Sequence, residues 1–325
     1  MKRFRNILCV CPSTDLQTKA LKQALSVARN NQARLTVVDV IPRGILSAGG
    51  LPGVPSADDL KSRIGNSRGQ ALRSHVQRAG GGDEVETDVF FGTLFLEVIR
   101  AVVQDGYDLV IKAAEDPGWT QRLFGSDDMH LLRKCPCPVW MLGPTDKPDY
   151  KTIVAAVDLD LPEPEKIGRQ GSANQSLNQK IIDLAVSMSI SGFAQLHLIH
   201  AWDAPELDFA SLWTNTPEAT EPRLLDAERS RHQNAMNDLT EKIRDQIGAD
   251  NYDYISPEVH LPRGDARTAV AEHVRKVNAD LVIMGTVART GIKGLIIGNT
   301  AEAILDQLPC SVIAVKPDGF VSPVV

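Results

Sequence analysis

The chain has 325 residues, 43% apolar and 23% charged, which at ~150 residues per domain makes about two globular domains and excludes a disordered chain. A net charge of −6 offers no bulk attraction to DNA phosphates or anionic lipid, and 5% aromatics is too few for a stacking platform on single strands. No apolar run reaches the ~18 residues of a membrane span, the run after Lys2, Arg3 and Arg5 stops at Pro12, and five cysteines make no disulfide framework. The expectation is a cytoplasmic protein with no membrane partner and no direct nucleic-acid partner.

Taken in order, Ile7 to Cys11 is a short apolar run and reads as a buried strand. Ala20, Leu21, Ala24, Leu25 and Ala28 recur at helical spacing. Leu35 to Ile41, interrupted by Asp39, is a second strand, and a Gly/Pro-rich loop over 43–57 leads to a polar helix near 58–79. Val85 to Phe91 is a third strand, Leu96 to Val103 a helix and Leu109 to Ala113 a fourth strand. Asp127 to Lys134 is a short helix and Val139 to Leu142 a fifth strand. Beyond the turn-rich stretch from Gly143 to Asp149 the order repeats.

The repeat is visible in the residues. Asp-Leu-Val-Ile occurs at 108–111 and again at 280–283, an offset of 172. Cys135-Pro136-Cys137-Pro138-Val139-Trp140 aligns with Leu308-Pro309-Cys310-Ser311-Val312-Ile313 at an offset of 173, whereas Arg5-Asn6-Ile7-Leu8 aligns with Lys151-Thr152-Ile153-Val154 at 146. The growing offset means that the second copy carries insertions, one near 159–175 and another at 203–222. The reading is an α/β protein of two tandem copies, 1–145 and 150–318, each a five-stranded parallel sheet flanked by helices. In such a sheet ligands bind beyond the carboxyl ends of the strands.

The loop after the second copy's fourth strand is where chemistry could sit. It holds four glycines between Gly285 and Gly298, with Arg289 and Lys293 among them. Asn299 is placed to cap the next helix, and Glu302 has capping-box spacing. A glycine loop feeding a helix start offers free N–H groups to an anion such as phosphate. The plainer reading is a connector before a well-capped helix.

Gly285-x-x-Ala288, nine residues, then Gly298-Asn299 resembles the nucleotide motif of the universal stress proteins, which is Gly, two residues, Gly, nine residues, then Gly-Ser or Gly-Thr. His130-Leu-Leu-Arg-Lys-Cys-Pro-x-Pro-Val-Trp-Met141 and Gly298-Asn-Thr-Ala-Glu302 look like the tandem E-type subgroup. The resemblance spans almost the whole chain. It implies an adenine-nucleotide site, ATP with its magnesium, in a binding or sensing protein of the stress response. The residues implied are Asp158 at the adenine, Gly285, Thr286, Ala288 and Arg289 in the loop, and Gly298, Asn299 and Thr300 at the phosphates. Ala288 adds a Cβ where the family has glycine, and Asn299 lacks the hydroxyl, which Thr300 next door could supply. The resemblance also implies that the fifth strands, Val139 to Leu142 and Val312 to Val315, pair the two copies, with a homodimer as a further option.

The first copy departs from the motif. Ala113 and Asp116 replace its first two glycines, and Pro12 stands where the second copy has Asp158. Residues 113–128 carry Arg122 against Glu115, Asp116, Asp127 and Asp128, a net −3, whereas 285–300 carry Arg289 and Lys293 and no acid, a net +2. Nucleotide binding is therefore expected in the second copy only.

No nucleophile stands beside a base, and there is no P-loop, so catalysis is not expected. The alternative enzyme is a slow magnesium-dependent ATP hydrolase with Asp158 or Asp160 as carboxylate. A third reading is a ligand-free scaffold, or one binding an apolar ligand under Ile45, Leu46, Leu51 and Val54, with Leu207, Phe209, Leu212 and Trp213 as the second copy's counterpart. The cysteines read as core residues and no metal is expected. His197 and His200 point to opposite faces of a strand, His260 and His273 belong to no carboxylate motif, and a charged His130 would complement Asp127 and Asp128.

Overall fold

The computed structural model describes residues 4–12, 18–49, 55–115, 124–143, 147, 149–159, 161, 171–204, 217–286 and 298–324. The described residues fall into two compact units. The first runs to Pro148 and includes Pro309–Val325, and the second begins at Asp149 and includes Gly298–Leu308.

In the first unit strands and helices alternate: β1 (Asn6–Val10), α1 (Thr18–Asn31), β2 (Arg34–Ile41), α2 (Ala57–Arg78), β3 (Glu86–Phe91), α3 (Leu94–Asp105), β4 (Leu109–Ala113), α4 (Ser126–Lys134) and β5 (Val139–Leu142). These five strands pair in the order β3-β2-β1-β4-β5, all parallel. Every residue of β1 is buried. A parallel strand covered on both faces reads as a continuous apolar run, as this one does. The buried face of α1 is Ala20, Leu21, Ala24, Leu25 and Ala28, the five residues its periodicity singles out. Ser56 caps α2 by accepting from the Asp59 N–H at 3.1 Å. Helix α3 ends at Gly106, whose φ of +68° is the left-handed conformation that glycine adopts at least cost.

The second unit contains β6 (Thr152–Ala156), α5 (Gly171–Gly192), β7 (Gln195–Ile199), α6 (Pro217–Ile247), α7 (Ala249–Ile255), β8 (Glu258–His260), α8 (Ala266–Lys276), β9 (Leu281–Gly285) and α9 (Asn299–Leu305). Its strands run β9-β6-β7-β8, again parallel. Most of both expected insertions, 162–170 and 205–216, lies outside the described residues, including Leu207, Phe209, Leu212 and Trp213. Leu51 and Val54 lie outside them too.

The repeated Asp-Leu-Val-Ile has a physical reason. Asp108 accepts from the N–H groups of Arg5 and Asn6 at 2.7 and 3.1 Å. Asp280 does the same for Lys151 and Thr152 at 2.8 and 3.1 Å. In each copy the aspartate before the fourth strand holds the entry to the first.

The final strand, β10 (Ser311–Val315), refines the sequence reading. It pairs antiparallel with β5, Val312 against Met141, Ile313 against Trp140 and Ala314 against Val139. It thus extends the first unit's sheet, and the Gly143 N–H donates to Ser311 Oγ at 3.0 Å beside it.

Candidate functional site

Strand register brings the second copy's expected residues to one edge. Ala156 of β6 is opposite Met284 of β9. Asp158 and Thr286 each lie two residues further, at the carboxyl ends of these neighbouring strands. Asp158 is half-buried and its backbone is held at both ends by Asn178 of α5. Asn178 Oδ1 accepts from the Asp158 N–H at 3.1 Å, and its Nδ2 donates to the Asp158 carbonyl at 2.7 Å. Gly285 lets α5 pass closely: a Cβ there would lie 2.6 Å from Leu177 Cδ2. Thr286 is buried, and its carbonyl accepts from the Gly298 N–H at 3.4 Å, so the two ends of the glycine loop meet. Asn299 and Thr300 are exposed at the start of α9. Ala288, Arg289 and Asp160 lie outside the described residues.

One expectation fails here. Gly298, not Asn299, is the residue before the helix, and no side chain caps it. Glu302 sits one position too far along to close a capping box with Gly298; its backbone N–H instead makes the ordinary helical bond to the Gly298 carbonyl at 3.0 Å. The exposed helix start therefore keeps its N–H groups free of a side-chain cap among the described residues.

Behind Asp158 lies a buried histidine pair. The Leu159 N–H is 3.3 Å from His200 Nδ1, and His200 Nε2 is 3.0 Å from His232 Nδ1. His232 Nε2 reaches Glu228 Oε1 at 3.5 Å. Burial, with His232 beside it, pushes His200 down to about 4. The ring is thus neutral at pH 7; its Nδ1 lies 3.3 Å from both the Leu159 N–H and the Val157 carbonyl, and the tautomer decides which of the two it meets.

The first copy fills the corresponding place with its own anion. Asp128, fully buried, accepts from the N–H groups of Glu115 at 2.7 Å and Gly125 at 3.2 Å. Its other oxygen accepts from Lys112 Nζ at 2.7 Å, and that ammonium also meets Glu115 Oε1 at 3.1 Å. Gly125 is the counterpart of Gly298, whose N–H donates to the Thr286 carbonyl, so this donor meets a carboxylate in the first copy and a backbone oxygen in the second. The net −3 counted over residues 113–128 starts one residue too late, because Lys112 is the buried partner of these acids. Beside them is a cleft of about 630 Å³ whose wall includes Arg43, Arg100, Glu97, Glu115 and Asp127. Val40, Pro42, Leu94 and Leu96 line it as well, so its wall mixes charged and apolar groups; Leu51 and Val54, expected over an apolar ligand, lie outside the described residues.

A model of the universal stress protein family matches residues 3–143 and, separately, 172–316. The chain belongs to the universal stress protein family. It is 32% identical over 231 residues to Universal stress protein E of Escherichia coli K12, covering 71% of this chain and 67% of that one. The same-named protein of Photorhabdus laumondii aligns over 341 residues at 25% identity, covering 100% of this chain and 98% of its own. Among solved structures, a functionally unknown protein from Pseudomonas aeruginosa PAO1 superposes with a TM-score of 0.68 at 26% identity, over 98% of this chain and 94% of that one. A universal stress protein from Archaeoglobus fulgidus shares the fold with a TM-score of 0.61 at 16% identity, over 96% of this chain and 98% of that one.

The remaining ionisable residues of this universal stress protein divide clearly. Cys9, Cys11, Cys135 and Cys310 are buried free thiols, and Cys137 is half-buried. Burial pushes Cys11 up to about 12. Cys135 differs: burial would raise it, but the Cys137 thiol 3.6 Å away and the buried Lys316 ammonium outweigh that and leave it low. His130 does not act as a charged partner for Asp127 and Asp128. Burial lowers it first and Lys134 and Arg133 lower it further, and its ring packs on Phe95 at 4.4 Å. No helix among the described residues is long and apolar enough to cross a membrane.

The histidines hold what sequence reading missed. His197 of β7, His260 of β8 and His273 of α8 converge, with their ligand nitrogens all within 4.8 Å of one another. The residues are 63 and 13 positions apart along the chain, so no local spacing announces them. The signal that could have found them is strand pairing: His197 stands opposite Glu258, two residues before His260 on the same face of β8.

Proposed function

We propose that this universal stress protein binds one adenine nucleotide, ATP with its magnesium, in its second copy, and acts by binding or sensing it rather than by turnover. The observation that carries this reading is the contrast between the copies. In the second, Asp158 is fixed at the carboxyl edge by Asn178 and the helix start at Gly298 has no side-chain cap. In the first, Asp128 accepts from the N–H groups of Glu115 and Gly125 and places a buried carboxylate at the helix start, where the second copy has Ala301. Asp158 would receive the adenine, the loop from Gly285 the ribose, and Gly298, Asn299 and Thr300 the phosphates. No nucleophile paired with a base stands near Asp158 among the described residues, which favours binding over chemistry. A cytoplasmic location and pairing of the copies through their fifth strands belong to the same proposal, the latter supported by the antiparallel β5–β10 ladder.

The test is a calorimetric titration of the full chain with ATP and magnesium, beside mass spectrometry of small molecules released from it. One ATP per chain, lost in Gly298→Val and kept in Asp128→Asn, is the expected result. Two per chain, or none, overturns the proposal. Magnesium-dependent turnover abolished by Asp158→Ala would replace it with the hydrolase.

A further inference from the structure

We propose that His197, His260, His273 and Glu258 form a binding site for a divalent transition-metal ion, zinc first among them, on the side of the second unit's sheet covered by α8. The site is independent of the nucleotide reading. His197 is in register with Val154 as well as with Glu258, which places it four residues short of Asp158 along the β6 direction and one strand further out.

The convergence follows from the fold. Side chains alternate along a strand, so His197, its register partner Glu258, and His260 two residues on all face the same way. Asp265 caps α8 by accepting from the Arg267 N–H at 2.9 Å, which fixes where the helix begins. Two turns later α8 delivers His273 over the same face. The His260 and His273 rings lie 4.0 Å apart, and His197 is 5.2 Å from the first and 5.7 Å from the second.

Ordinary packing leaves this cluster poorly satisfied. His197 Nδ1 and His260 Nε2 are 3.0 Å apart and share one proton between them. His273 Nε2 is buried and has no hydrogen-bond partner among the described residues. An unmet buried nitrogen costs about 1–3 kcal/mol. A metal ion would satisfy all three rings with one centre. Glu258 adds the charge: its carboxylate is 3.5 Å from His197 Nδ1 and 3.8 Å from His260 Nε2.

The geometry is close to what zinc requires. Four ligands at about 2.0–2.1 Å in a tetrahedron put nitrogens roughly 3.3 Å apart. One pair is already at 3.0 Å and the three histidine nitrogens lie within 4.8 Å of one another, so side-chain shifts of about an ångström bring the imidazoles to one centre. Three imidazoles and a carboxylate, with no thiolate, suit zinc, cobalt, nickel or copper rather than calcium or magnesium. With Glu258 as fourth ligand the shell is closed, which points to a structural or metal-sensing role and not to a hydrolytic centre. The ion would tie together β7, β8 and α8.

The experiment uses the full, untagged chain, freed of metal by a chelator and titrated with zinc alone or cobalt alone. One equivalent per chain should bind and raise the thermal midpoint. Cobalt should give the visible absorption of a four-coordinate site without a sulfur-to-cobalt charge-transfer band. His260→Gln and His273→Gln should each weaken binding by more than about 100-fold, beyond the loss from an outer partner. Glu258→Gln, at a half-exposed position that leaves the fold intact, should weaken it by about 10-fold. Circular dichroism of each metal-free variant separates loss of the site from loss of the fold. No saturable binding, binding indifferent to all three substitutions, or a sulfur-to-cobalt band would each overturn the proposal.

Discussion

The Lys112 ammonium meets the Asp128 carboxylate at 2.7 Å with neither side chain exposed. The second copy has Met284 and Ala301 at the equivalent positions, so one copy is built around an ion pair and the other around apolar groups. Removing one partner strands the other charge. Asp128→Ala should cost about 3–5 kcal/mol in chemical denaturation. The double change Lys112→Met with Asp128→Ala, which copies the second half, should recover most of that loss, since apolar replacements of buried pairs are often neutral. Two losses that simply add would show that the pair has no such coupling.

Asn178 should matter to ligand more than to fold. Its side chain makes both bonds to the Asp158 backbone. Asn178→Ala removes two hydrogen bonds and should lower stability by about 1–3 kcal/mol. ATP affinity should fall by at least about tenfold, because Asp158 is no longer held toward the adenine. Unchanged affinity in the titration would remove Asp158 from the site.

Acid should weaken the second unit through His200. Its folded value of about 4 lies below its ordinary 6.5, so between these pH values the unfolded chain binds more protons. Stability should therefore fall as pH drops from about 6.5 to about 4, by up to about 3 kcal/mol from this residue, and flatten below. Once the ring gains its second proton, Nδ1 cannot accept from the Leu159 N–H. Urea midpoints against pH should show a shallower slope in His200→Gln than in the parent chain, and equal slopes would exclude this origin.

The thiols should be silent in the folded protein. Four of the five are buried, and the half-buried Cys137 is pushed up by burial and by Cys135. Alkylation at neutral pH should modify none of them at an appreciable rate, and all five after unfolding. Rapid single-site labelling of native protein would instead point to Cys135, held low beside Cys137 and Lys316, and make it a reactive centre.

Much of the architecture was legible because it rests on local patterns. The face of α1 and the buried run of β1 follow directly from apolar spacing. The doubled Asp-Leu-Val-Ile was legible as a repeat, and the structure adds why its aspartate recurs: each one holds the first strand of its own copy. What was not legible depends on residues distant in sequence. Lys112 sat just outside the window in which the loop charge was counted, and only folding shows that it neutralises Asp128. His197, His260 and His273 come together because β7 and β8 pair and α8 returns over them. The helix start after the glycine loop was misplaced by one residue because Asn299 is a good cap by type, whereas the backbone assigns that position to Gly298.

Strand β10 carries a consequence for how the molecule is made. Residues 311–315 are synthesised after the whole of β6 to β9, yet they pair with β5, which ends at Leu142. Until then β5 exposes a bare edge of unpaired backbone groups with Val139, Trp140, Met141 and Leu142 along it, an invitation to pair with another nascent chain. The amino-terminal copy is thus finished by the carboxyl-terminal segment, and a ribosome stalled in the second half would release a first half with its sheet still open.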